Sequence, residues 1–157
     1  MNATRKNGFT LTELVVVILV VAILSSATLA AFSDRKTEAE VAATQRSLQA
    51  IQTVIDEYAQ ATGSYPDRIR PEWFAGDKLP RHPMNDIGLR EVHVFQSDDR
   101  LHPKNKELTT GRLGAFWYNP HTGIIRARVR ADSGKDETLK TYNRVNGSNL
   151  NSLSDID

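Results

Sequence analysis

The sequence predicts an α+β chain in which a long amino-terminal helix, membrane-spanning in its first half and amphipathic in its second, packs on a small antiparallel β-sheet. Three observations carry the prediction. Residues 14–32 form a run of 19 without a charge. Apolar side chains then recur at helical spacing as far as Tyr58, and "IIRARVR", residues 124–130, alternates with the period of a strand.

At 157 residues, 39% hydrophobic and 25% charged, the chain has room for one compact domain and an appendage. Those averages combine two unlike parts, a greasy stem and 125 strongly polar residues from Ser33 onward. A formal net charge of +1 is too small to imply a polyanionic partner by itself. The absence of cysteine excludes disulfides and thiolate metal sites and leaves the compartment open.

The uncharged run makes roughly 28 Å of helix at 1.5 Å per residue, close to the roughly 30 Å hydrocarbon core of a bilayer. Arg5 and Lys6 precede it, so the amino end stays in the cytoplasm and the polar remainder lies on the far side. The rival reading is an ordinary export signal, an apolar core at residues 14–24 and then the small residues Ser25, Ser26 and Ala27, on a membrane-anchored or secreted extracytoplasmic binding protein whose cleaved form begins at Thr28. Two features count against it. Thr10, Thr12 and Glu13 separate the basic residues from the apolar core, and the helical pattern continues past the supposed cut.

Residues 8–24, "GFTLTELVVVILVVAIL", closely resemble the class III signal of type IV pilins and type II secretion pseudopilins: a short basic leader, then Gly8, Phe9 and Glu13 at fixed spacing against an aliphatic run. Thr12 departs mildly from the aliphatic residue more usual there. The resemblance implies that residues 1–8 are a leader removed by prepilin peptidase after Gly8. It also implies methylation of the new amino terminus of Phe9, and residues 9–32 as a transmembrane and assembly helix. Gly8 suits cleavage physically, because a residue without Cβ lets a protease approach the backbone.

Glu13 is the costly residue. A carboxylate within a spanning helix costs up to about 2.5–3.5 kcal/mol at the bilayer centre and less near the interface, so it calls for a partner. In pilin-like proteins the implied partner is the charged amino terminus of Phe9, in the same or a neighbouring subunit. Repeated head-to-tail contacts of that kind, when they do not close, generate a helical filament.

Residues 33–63 continue the helix. Val41, Leu48, Ile51, Ile55 and Tyr58 fall on one face, with Arg46, Gln49, Gln52 and Asp56 on others. Gly63 supplies the stop and Pro66 prevents resumption. With no Pro or Gly between residues 9 and 62, a single helix of roughly 80 Å is predicted. The hydroxyls of Ser25, Ser26 and Thr28 mark a soft point, or else close packing against a neighbouring helix.

The head, residues 64–140, opens with a proline-rich loop to Asp86 in which Trp73, Phe74 and Leu79 tuck against the helix. Strands are predicted at residues 90–95 and 115–118. The turn "NPHTG", residues 119–123, then leads into 124–130, making a hairpin within an antiparallel sheet. Alternation places Ile125, Ala127 and Val129 inward and Arg126, Arg128 and Arg130 outward. The resemblance implies a matching architecture, an α/β-roll with a long protruding helix. Residues 141–157 read as a loosely ordered polar tail.

No catalytic constellation emerges, and the chain is expected not to be an enzyme. His82, His93, His102 and His121 lack the spacing of a helical metal site and read as exposed loop histidines. Pseudopilins of the secretion group bind calcium through a carboxyl-terminal loop. Asp132, Asp136 and Glu137 offer oxygen ligands, but a solvated acidic turn is the better reading. The arginine row is a candidate DNA contact, as in a DNA-uptake minor pilin, but without interleaved aromatics it reads as a solvated sheet face neutralised by Glu107, Asp132 or Asp136.

The function expected from this sequence is therefore structural: a subunit of a type II secretion pseudopilus or type IV pilus-like filament, with no cofactor. The implied partners are prepilin peptidase, other pilin or pseudopilin subunits and an inner-membrane assembly platform.

Overall fold

The computed structural model describes residues 9–87, 92–96, 98–110 and 113–157, with backbone alone for residues 26–31, 33 and 34. The chain divides into two compact units, Met1–Glu38 and Ala39–Asp157. Helix α1 runs Leu11–Thr62. It starts two residues later than predicted because Thr10 is its cap, and it stops where expected, the Gly63 N–H bonding to Ala59 O at 2.8 Å with φ at +79°. That left-handed conformation is cheap only without a Cβ.

In the second unit the predicted stripe of α1 is the floor of the core. Val41, Leu48, Ile51 and Ile55 are buried, each stabilising the head by roughly 2 kcal/mol. Tyr58 lies at the rim, its ring 5.2 Å from that of Trp73. Trp73, Phe74 and Leu79 pack against the core from the proline-rich segment, as their apolar character predicts.

Three strands follow: β1 (Val92–Val94), β2 (Phe116–Asn119) and β3 (Ile124–Ala127), in the order β1-β2-β3. The α+β class holds, but the sheet is mixed rather than antiparallel. β2 and β3 form the predicted antiparallel hairpin, its turn closed by Gly123 N–H to Asn119 O at 2.9 Å. β1 instead runs parallel to β2, pairing Val92, His93 and Val94 with Phe116, Trp117 and Tyr118. The cause is the connection: the chain turns back after Phe95 and re-enters β2 in the original direction, a parallel crossover that a tight turn cannot make.

Every residue of β2 is buried, so both faces of the sheet are covered. Phe116 and Tyr118 join the core with Ile51 and Ile55. Trp117 lies on the other face near Phe95, 5.9 Å between rings, and residues 101–106 of the returning connection reach the arginines of that face.

The carboxyl-terminal region is also ordered where a loose tail was expected. α2 spans Lys135–Asn146, with Thr138, Tyr142, Val145 and Asn146 buried. Two apolar anchors three residues apart, Tyr142 and Val145, hold a helix that is polar elsewhere, and Leu150 packs on the same core.

Candidate functional site

The amino-terminal segment is built on the first turn of α1. Gly8 lies outside the described residues. Phe9 is exposed, and Thr10 caps the helix: its Oγ1 accepts the Glu13 N–H at 3.3 Å while its carbonyl accepts the Leu14 N–H at 3.2 Å. Glu13 is therefore the third helical residue, in the turn where the aligned peptide dipoles favour negative charge by roughly 0.3–1 kcal/mol. "TLTE" is a Thr-x-x-Glu sequence directly before an apolar run, the pattern of a capping box. Sequence reasoning weighed Glu13 only against the membrane and missed Thr10, although that signal was present.

Beyond the cap, the described aliphatic side chains from Leu14 to Leu24 are exposed all round the helix, Val15 at 47% and Leu24 at 62%. A helix apolar on every face is matched only by lipid or by other apolar helices. Among the described residues no helix is long and apolar enough to cross a membrane.

The calcium candidates do not converge. The Asp132 carboxylate accepts the Ser133 N–H at 2.7 Å, while Glu137 pairs with Lys140 at 2.6 Å and both are exposed. Asp136 lies with it in the first turn of α2. Among the described residues no group of three His, Asp or Glu side chains is placed to hold a metal.

The arginine row is not a solvated face. Arg128 is buried: its Nε donates to Asn105 O at 2.9 Å and its Nη1 to Gly114 O, and burial lowers its pKa to about 10. Arg126 donates to Leu101 O at 3.2 Å. Arg130 remains exposed but pairs with Glu40 at 3.3 Å and Asp86 at 3.1 Å, not with the acids expected from sequence. Alternation was read correctly; the cover over the second face came from the distant connection, which no local pattern reveals.

The histidines need the same correction. His82 and His102 are buried, and desolvation brings each pKa down to about 4, so both are neutral at pH 7. His82 packs 4.7 Å from the Phe116 ring, and His102 Nδ1 lies 2.9 Å from the Tyr142 hydroxyl. His121 stays exposed beside Asp99. Lys106 was not singled out by sequence, yet it is 1% exposed, its ammonium donating to the carbonyls of Pro103, Leu153 and Asp155. It lies against an open cleft of about 540 Å³ lined also by Lys104, Glu107, Lys135 and Asp136, but its protons are committed to carbonyls.

Comparison with known proteins bears on the amino-terminal segment. Residues 3–29 match the family described as "Prokaryotic N-terminal methylation motif". The chain is also similar to the type IV major pilin protein PilE1 of Neisseria gonorrhoeae, 26% identical over 161 aligned residues that cover 96% of this chain and 87% of the relative. No solved structure matches significantly. The methylation motif thus runs directly into α1, and the chain is similar to a type IV major pilin along nearly its whole length.

Proposed function

We propose that the chain is a structural, non-enzymatic subunit of a pilus-like filament, a type IV pilus or a type II secretion pseudopilus. The observation that carries this reading is the methylation motif set against a helix whose apolar side chains are exposed on every face. Prepilin peptidase cuts after Gly8 and the new amino terminus at Phe9 is methylated. The uncharged residues 14–32 hold the subunit in the cytoplasmic membrane as a single pass, amino end inside and head outside. On extraction by an inner-membrane assembly platform, stems exchange lipid for one another, and the Glu13 carboxylate meets the charged amino terminus of a neighbouring subunit.

Mass spectrometry of the mature protein from its native host tests this directly. An N-methylated Phe9 at the amino terminus is expected; a chain beginning at Thr28 would return it to the exported binding proteins. The DNA-uptake alternative loses its support, since Arg128 is buried and Arg130 is paired.

A further inference from the structure

The outer edge of β3 is closed by side chains, not by a fourth strand. Gln52, on α1, accepts the Ile125 N–H at Oε1 (3.2 Å) and donates Nε2 to Gly123 O (3.0 Å). Asn146, the last residue of α2, accepts the Ala127 N–H at Oδ1 (2.8 Å) and donates Nδ2 to Ala127 O (2.9 Å). Farther on, Val129 donates to Lys106 O at 2.9 Å and accepts from Leu108 N–H at 2.7 Å. A primary amide offers the donor and acceptor of a peptide unit, so two side chains do for Ile125 and Ala127 what a neighbouring strand would do. The strand also fixes the orientation of both amides, because each oxygen faces an N–H and each nitrogen a carbonyl.

We propose that Gln52 and Asn146 seal the β3 edge and prevent it from pairing with the same edge of a second copy of this chain. An unpaired strand edge is a template for another strand, and this one carries Ile125, Ala127 and Val129 in regular alternation. The inference rests on the pilin-family reading for why it matters: subunits joined through their stems hold their heads at high local concentration, where an open edge would make contacts that compete with ordered assembly. Both residues come from helices outside the sheet, so the seal forms only when α1 and α2 have docked on the hairpin.

The test uses the full-length chain in detergent micelles, as wild type, Gln52→Met, Asn146→Ala and the double variant. Gln52→Met keeps side-chain length and helix propensity, so it carries the test even where Asn146→Ala unfolds. Amide exchange by NMR reads the seal, and light scattering together with a cross-β dye reads association. Expected is about tenfold faster exchange at Ile125 in Gln52→Met, the loss of about one net hydrogen bond. Concentration-dependent association absent from wild type should accompany it, stronger in the double variant. A folded variant with unchanged exchange overturns the proposal, and so does one that exchanges faster yet keeps the wild-type mass at every concentration. An unmethylated Phe9 in the native host would instead sink the filament reading and leave this result standing.

Discussion

Thr10 Oγ1 accepts the backbone N–H of Glu13 at 3.3 Å, so the residue that caps α1 holds in place the residue whose carboxylate the sequence singles out. The two contributions are separable by mutation. Thr10→Ala removes a cap worth about 1 kcal/mol and should fray the first turn, lowering filament yield without abolishing it. Glu13→Ala keeps the cap and should leave membrane fractionation unchanged while stopping assembly. Electron microscopy of filaments from cells carrying each variant is the measurement, and normal filaments from Glu13→Ala would refute the role assigned to its carboxylate.

The head should lose stability in acid through His82. Its folded pKa is about 4 against 6.5 unfolded, chiefly because burial disfavours the charged ring; the nearby backbone of Arg128 opposes this and is outweighed. Between those values the unfolded state binds more protons, so stability is complete above pH 6.5 and falls as pH drops toward 4. The loss from this residue alone is about 2 kcal/mol by pH 5. Urea unfolding at pH 7.5 and pH 5 should show that difference, and His82→Leu should reduce it by a similar amount. His102, lowered in the same direction, retains its own share.

Lys106→Met should loosen the carboxyl-terminal segment before the rest of the head. The change leaves the carbonyls of Pro103, Leu153 and Asp155 without their shared donor, at a cost of about 2–4 kcal/mol. The N–H groups of Leu101 and His102, which both bond to Ile156 O, should then exchange faster than those of β2. Equal acceleration at Phe116 and at Leu101 would mean that Lys106 supports the whole head and not this segment in particular.

Gly123→Ala should be destabilising for two separable reasons. The glycine has φ of +70°, and an added Cβ would lie 2.3 Å from the Tyr65 ring. The left-handed conformation alone costs a residue with a Cβ about 1 kcal/mol, and the collision adds to it. In a Tyr65→Ala background the steric part should vanish, giving a positive coupling in a double-mutant cycle read by thermal unfolding. Additivity would show that the Tyr65 ring swings aside without cost.

Legibility in the sequence followed the range of the interactions. The stripe from Val41 to Ile55 was readable because period and burial are both local to one helix. The hairpin was readable because Asn119, Pro120 and Gly123 announce the turn. The parallel pairing of β1 was not, since direction is set by the long connection between Phe95 and Phe116, whose sequence carries no sustained period. Arg128 was misread for the same reason: its acceptors, Asn105 and Gly114, are separated from it by 23 and 14 positions. α2 left fainter marks, the acids of its first turn, Arg144 in its last and Gly147 just after, and these were outweighed by its polarity. Of the candidate site, the place of Glu13 was legible, while the cap that Thr10 supplies was present in the sequence and passed over.

The head thus has two kinds of cationic anchor, which should respond differently to a change of medium. Arg130 holds Glu40 and Asp86 at the surface, and such contacts weaken as ionic strength rises. Arg128 and Lys106 are bound instead by backbone carbonyl dipoles, neutral acceptors that neither titrate nor gather counter-ions as a carboxylate does. A head fastened in this way meets brine or fresh water with the same internal ties, and only its outer pairs register the difference.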